Sequence, residues 1–292
     1  MSKESLPIYQ IQDFENHRIN SSAFYYSGLG SHLEKHKFIQ IPHKHDFFIL
    51  MLVTVGTGNH SIDFRNYEVN PGTAFFLKPG QVHSWQLSKD TDGHILFFNS
   101  GFYREGFPGK NLDRFTFFSF SHFPASLTLD PEKSREIEFL FSEINREVSA
   151  SLWSKKEILR SFTEILLIKL SRIYHYANGL GATVLPSEDQ FKTLESYIES
   201  EFRLHREASF YAEKMHLSLK QLNRLTKHTT GKAISQLLLD RVILESQRLL
   251  TYSDKSISEI AVLLGFQDPS YFTRLFRKKI GQTPEQFRKS VR

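Results

Sequence analysis

The sequence predicts an α+β chain of two domains: a β sandwich or barrel with a helical pair, followed by an all-helical domain. Three observations carry this reading. At 292 residues the chain is long enough for two ordinary domains, each of roughly 100–200 residues. Its apolar pattern changes along the chain, from short β-rich runs to helical spacing. Its charge is split: residues 1–186 hold 19 Lys and Arg against 19 Asp and Glu, whereas residues 187–292 hold 18 against 13, so the whole net charge of +5 falls in the last 106 residues. Phenylalanine is skewed the other way, with 20 of 27 before residue 187. A neutral aromatic-rich part and a basic part imply different partners. A pI near 9.2 permits nucleic-acid binding without requiring it.

The strands come first. FFILMLVTV (47–55) is a continuous apolar run rich in β-formers, and SIDF (61–64), TAFFL (73–77), SWQL (84–87), HILFF (94–98) and FTFFSF (115–120) follow at short intervals. Gly56, Gly58, Asn70-Pro71-Gly72 and Pro79-Gly80 punctuate them as turns. Many short strands with regular turns indicate a sandwich or barrel rather than a βαβ fold.

The texture changes at Asp130-Pro131, where Asp can accept the free amide hydrogens of a helix start and Pro forfeits only an unpaired one. Ile137, Leu140, Phe141, Ile144 and Val148 then mark one amphipathic helix, and Ile158, Phe162, Ile165, Leu166 and Ile173 a second. Such a pair usually just covers a sheet; the alternative, at the edge of a sensor domain, is a dimerisation element. ANGLGATVLPSED (177–189), with two glycines and a proline, is the linker candidate. The predicted domains are therefore 1–176, a linker at 177–189, and 190–292.

After the linker the pattern is helical throughout: Phe191–Phe202, Ala208–Lys214, a helix opened by Ser218 and ending near His228, a long helix from about Ala233 to Leu250, Ile257–Leu264 and Ser270–Ile280. Two short-helix pairs flank one long helix, and they align. In EIAVLLGFQDPSYFTRLFRKKIG, Ala261 precedes Gly265 by four residues, and Gly can adopt the positive φ that ends one helix and swings into the next. The following helix buries Phe272, Leu275 and Phe276 and leaves Ser270, Tyr271, Arg274, Arg277 and Lys278 outward. In SFYAEKMHLSLKQLNRLTKHTTG, Ala212 precedes His216 by four residues; the next helix buries Leu219, Leu222 and Leu225 and leaves Lys220, Asn223, Arg224 and Lys227 accessible. Arg224 and Arg274 occupy equivalent places, and each unit ends in a glycine, Gly231 or Gly281. Double-stranded DNA calls for such surfaces: the major groove admits one helix, Arg and Asn read base edges bidentately, and Lys and Arg meet phosphates. A connecting helix of about 18 residues spans about 27 Å, which suits two reading helices in successive major grooves about 34 Å apart.

Ala261 to Arg288, AVLLGFQDPSYFTRLFRKKIGQTPEQFR, resembles the signature of the AraC/XylS family of bacterial transcription regulators. Ala261, Gly265, Phe266, Asp268, Ser270, Tyr271, Phe272, Arg274, Phe276, Arg277, Lys278, Gly281, Thr283, Pro284, Phe287 and Arg288 carry the likeness. The stretch IPHKHDFFILMLVTVGTGNHSIDFRNYEVNPGTAFFLKPGQVHSW is similar to the family's cupin-like sensor half. The resemblance implies a cytoplasmic regulator, usually an activator that touches RNA polymerase, often a homodimer through its N-terminal half, and responsive to a small organic effector such as a sugar. Carried over by position, it assigns Lys220, Asn223 and Arg224 to one groove and Ser270, Tyr271 and Arg274 to the next. Thr226 departs from the family's usual Phe.

His43 and His45, with His83 some forty residues on, resemble three ligands of a cupin metal site. Imidazoles two apart on a strand point to the same face. Metal-binding cupins add a Glu soon after the pair; here DFFILML offers only Asp46, facing the opposite way. No metal or cofactor is therefore expected, and the histidines either shape the fold or line an effector site; Tyr25, His43, His45, His83 and Trp85 are the candidate contacts, in a pocket built with Phe47, Ile49, Met51 and Phe75 unless that aromatic-rich barrel is simply a full core. Two other classes compete with the regulator: a cupin metalloenzyme fused to a DNA-binding tail, and an architectural DNA binder without sequence preference. No nucleophile elbow, phosphate-binding loop or paired metal motif points to an enzyme. Cysteine is absent, which excludes disulfides and thiolate metal sites. No apolar run is long enough for a bilayer, and the opening MSKESLPIYQ lacks a signal peptide's apolar stretch. A cytoplasmic protein without a membrane partner is the expectation.

Overall fold

The computed structural model of the chain describes residues 6–14, 23–118, 123–179 and 186–291. Residues 1–5 of the opening segment, 119–120 of FTFFSF and 180–185 of the linker candidate lie outside the described residues. The described chain forms two compact units, residues 7–118 with 123–179, and residues 186–291.

The first unit contains β1 (Ile8–Tyr9), β2 (Phe24–Gly28), α1 (Leu29–Lys35), β3 (Lys44–His45), β4 (Phe48–Val55), β5 (Gly58–Ile62), β6 (Arg65–Val69), β7 (Thr73–Leu77), β8 (His83–Leu87), β9 (Asp92–Phe98), α2 (Ser100–Gly106), β10 (Ser126–Thr128), α3 (Pro131–Ser149) and α4 (Lys155–Ala177). An antiparallel five-stranded sheet runs β10-β7-β4-β9-β2, a three-stranded antiparallel sheet runs β6-β5-β8, and β1 pairs in parallel with β3. The apolar runs are continuous because the large sheet is buried on both faces, so neither face needs polar residues. Ile49, Met51, Val53, Phe75, Leu77, Ile95, Phe97 and Tyr25 belong to an inner cluster with Trp85 and Phe47. Their alternates Phe48, Leu50, Leu52, Phe76, Leu96, Phe98 and Phe24 belong to a second cluster with Ile137, Phe141 and Ile144 of α3 and Leu159, Leu166, Leu170 and Tyr174 of α4.

Asp130 caps α3 as expected, accepting from Lys133 N at 2.8 Å with Pro131 in the first turn. Other expectations shift. The described part of FTFFSF, residues 115–118, holds no strand: Thr116–Phe118 is a 3-10 turn whose Phe117 stacks on Phe76 with centroids 4.2 Å apart, so these rings serve as a wedge under the helices rather than as a ladder. SIDF ends at Ile62, because Asp63 and Phe64 turn the chain with φ of 48° and 65°. On α4 the buried stripe is Leu159, Thr163, Leu166, Leu167, Leu170 and Tyr174, whereas Ile158 and Ile165 are 40% and 41% exposed. Of the predicted stripe Leu166 lies in the core and Phe162 and Ile173 pack partly buried against it.

The second unit contains α5 (Pro186–Glu201), α6 (Ala208–Lys214), α7 (Leu219–Thr230), α8 (Ile234–Tyr252), α9 (Ile257–Leu263), α10 (Pro269–Ile280) and α11 (Pro284–Val291). Its core joins Phe191, Leu194, Tyr211, Leu222, Leu237, Leu238, Ile260, Phe272, Phe276 and Phe287. Helix α8 is the spine: Arg241 pairs with Glu199 of α5 at 2.9 Å, and Glu245 gathers Arg203, Arg241 and Arg248. The duplication is visible in hydrogen bonds. Leu217 N donates to Ala212 O at 2.8 Å and Phe266 N to Ala261 O at 2.9 Å, while His216 and Gly265 N donate to Glu213 and Val262 O, each at 2.9 Å. Helix α11 has no counterpart in the sequence reading.

Candidate nucleic-acid interface and interior site

Local signals fix both outward helices. Ser218 Oγ accepts from Gln221 N and the Gln221 side chain accepts from Ser218 N, a capping box that starts α7. Asp268 accepts from Ser270 N at 2.8 Å and Tyr271 N at 3.1 Å, with Pro269 opening α10. Left-handed glycines end both, Gly231 at φ 72° and Gly281 at φ 84°. The inward faces carry Leu222, Leu225 and Thr226 on α7, and Phe272 and Phe276 on α10. Leu219, expected inside, is 47% exposed because it sits in the first turn of α7, ahead of the packed stripe. Thr226 is fully buried, with its hydroxyl donating to Asn223 O at 3.2 Å, so a small polar residue fills the family's usual aromatic position without leaving its oxygen unpaired.

The outward faces carry Lys220, Arg224 and Lys227 on α7 and Ser270, Tyr271, Arg274, Arg277 and Lys278 on α10, all exposed. Arg274 is 3.7 Å from Asp268, with its side chain 69% exposed. Asn223 is placed differently. Its amide nitrogen donates to Leu219 O at 3.1 Å, and its oxygen accepts from Ile234 N, the first residue of α8, at 3.3 Å. It is half-buried and joins α7 to α8, so meeting a base would require it to release both bonds.

In the first unit, Tyr25, His43, His45, His83 and Trp85 all lie buried on the inner side. They are brought together: His43 and His83 have ring centroids 4.3 Å apart, His45 and His83 5.1 Å, and His83 and Trp85 5.2 Å. Two further histidines join them. His60 Nε2 is 3.0 Å from His83 Nδ1, and His32 Nδ1 is 2.9 Å from the Tyr25 hydroxyl. His60 was readable by running the predicted strand at Ile62 back two residues on the same face; His32, on α1, had no signal. Burial and then mutual repulsion push His32 and His60 down to about 3 and hold His83 well below its ordinary value; burial likewise takes His45 to about 3. The rings are neutral near pH 7. His43 Nδ1 lies 2.8 Å from Ile41 O and His45 Nδ1 2.6 Å from Phe47 O. A carbonyl only accepts, so each Nδ1 carries the proton and each Nε2 presents a bare lone pair. The Nε2 atoms of His32, His45 and His83 and the Trp85 indole nitrogen are buried without hydrogen-bond partners. Among the described residues no group of three or more His, Cys, Asp or Glu is arranged to hold a metal ion. A cavity of about 460 Å³ is lined by the run from Trp85 to Lys89 with Leu33, Glu34 and Gln40; of the candidate effector contacts Trp85 borders it, and Tyr25, His43, His45 and His83 do not.

The family described as an AraC-like ligand binding domain matches residues 25–153, and a helix-turn-helix domain family matches residues 211–290. The chain belongs to the AraC/XylS family. As a member it is a transcription regulator with a DNA-binding and an effector-binding domain. AraC/XylS relatives include the HTH-type transcriptional activator RhaS of Escherichia fergusonii, 25% identical over 84% of this chain and 86% of that protein, and the HTH-type transcriptional activator RhaR of Yersinia pseudotuberculosis, 24% identical over 85% and 84%. The C-terminal domain of the two-component response regulator yesN from Fusobacterium nucleatum is 27% identical, with a TM-score of 0.33, and covers 34% of this chain and 98% of that one. Among the described residues no helix is long and apolar enough to cross a membrane.

Proposed function

We propose that this AraC/XylS protein is a cytoplasmic, effector-responsive activator in which α7 and α10 enter successive major grooves of its operator. The carrying observation is the pair of capped helices that bury matched apolar faces and turn Arg224 and Arg274 outward. Arg224 and Arg274, with Ser270 and Tyr271, are the base readers; Lys220, Lys227, Arg277 and Lys278 meet phosphates; Asn223 contributes to the same surface by fixing the start of α8. In this reading the domains divide within the predicted 177–189 linker, whose residues 186–189 open α5 instead, and the first folds as a cupin-like barrel. Activation entails contact with RNA polymerase, as the activator names of the relatives suggest. The exposed Ile158 and Ile165 of α4 support a homodimer through that helix.

The effector enters the inner side of the first unit, against Tyr25, His43, His45, His83 and Trp85. His43 and His45 present locked acceptors, so the matching ligand donates hydrogen bonds and carries no anionic charge there: a neutral sugar fits, and a sugar acid or phosphate does not. The test is selection of genomic fragments by the purified full chain, then titration with neutral sugars and their uronic acids. A two-block motif whose occupancy responds to a neutral sugar is expected; occupancy without any shared motif would overturn the reading.

A further inference from the structure

Asp240 lies on the second turn of α8, and its two oxygens are divided between two lysines from different places in the unit. Oδ2 is 2.6 Å from Lys232 Nζ, and Oδ1 is 2.6 Å from Lys279 Nζ. Lys232 directly follows Gly231, which ends α7, whereas Lys279 occupies the last turn of α10. The Asp240 side chain is only 13% exposed, and the lysines are 40% and 39% exposed. Burial alone would raise this carboxyl; the hydrogen bonds and charges of Lys232 and Lys279 outweigh it and keep the group below its ordinary value, hence ionised at physiological pH.

We infer that Asp240 is a positioning residue for two-groove recognition: it ties the ends of both reading helices to the connecting helix, fixes the phase between them, and withholds two ammonium groups from the phosphates. Arg241 already binds α8 to α5 through Glu199. What Asp240 adds is geometric. Successive major grooves recur every 10–10.5 base pairs, about 34–36 Å, so two helices on one rigid frame accept one spacing, and a loosened frame accepts several. The two lysines matter in the opposite sense. Held by Asp240 they add little to sequence-independent affinity, and released they add to it.

The inference rests on α7 and α10 both entering grooves, and the experiment separates the two claims. Full-length wild type, Asp240→Asn and Asp240→Glu are titrated with three duplexes: the two-block site recovered by selection, the same site with two base pairs inserted between the blocks, and a scrambled control. The wild type is expected to lose about tenfold or more on the inserted duplex, the order of one to two mismatched base pairs. Asp240→Asn should lose about tenfold on the parent duplex, with the parent-to-inserted gap nearly closed. On scrambled DNA it should bind as tightly as wild type or tighter, with a salt slope steeper by up to about 2, since each ammonium meeting a phosphate adds about 0.9. Asp240→Glu should restore the gap. If Asp240→Asn keeps the wild-type gap, or weakens all three duplexes in proportion to a lower melting temperature, the residue is a fold stabiliser and the inference is overturned. If the wild type itself ignores the insertion, the two-groove reading fails first.

Discussion

Arg274 and Lys227 are both exposed on their helices and are assigned different work in the DNA reading. Replacing Arg274 with Ala should cost about 1–3 kcal/mol at the cognate site and relax preference at particular bases, measured by competition among single-base operator variants. Lys227→Ala should weaken all sequences alike and lower the salt slope by about 1; a change of base preference there would refute its phosphate role. A pair of turn residues separates what a sequence reveals from what it hides. Gly265 has φ 76°, and a Cβ on it would lie 1.9 Å from Arg203 O, so glycine is required twice over. Its counterpart His216 adopts φ 54° with a side chain, at a strain of roughly 1–2 kcal/mol. Gly265→Ala should therefore lower the melting temperature sharply, whereas His216→Gly should leave it unchanged or raise it. Gly265 was legible because glycine advertises a positive φ; His216 was legible only by aligning it with Gly265.

At the scale of elements, the histidines carried by α1, β3 and β5 make the first unit sensitive to acid. His32, His45 and His60 bind protons at about 3 in the folded chain and at about 6.5 when unfolded. Between those values the unfolded chain holds more protons. The stability is therefore fully present above about pH 6.5 and lost as pH falls towards 3, at up to about 1.4 kcal/mol per pH unit for each ring. Urea midpoints followed by Trp85 fluorescence should fall between pH 7.5 and 5.5; equal midpoints would contradict the burial of these rings. The strands themselves were legible where turn residues bounded them, as for TAFFL, which is β7 residue for residue. FTFFSF misled because stacked phenylalanines under a helix and phenylalanines in a ladder have the same composition. The stripe on α4 misled because a helix apolar on two sides offers no single face to a periodicity argument.

For the whole molecule, the charge split near residue 187 parts the two units, whereas the change of period at residue 130 falls inside the first, where its strands give way to α3 and α4, and the repeat in the basic part supplied the function. The interior site was partly legible, since His43, His45 and His83 do converge with Trp85, but which nitrogen carries each proton depends on main-chain carbonyls that only a fold brings near. Assembly gives the prediction at this scale. Introducing Ile158→Glu and Ile165→Glu together should convert a dimer to a monomer in sedimentation, leave the melting temperature within a few degrees, and weaken binding to a palindromic operator; an unchanged sedimentation coefficient would rule out α4 as the contact. Strand β4 presses Ile49, Met51 and Val53 into the compartment of the imidazoles and Phe48, Leu50 and Leu52 into the layer that holds α3 and α4. A guest on one side and the layer of α3 and α4 on the other would thus share a partition a single peptide thick, so a nudge given to it from within passes straight to those helices.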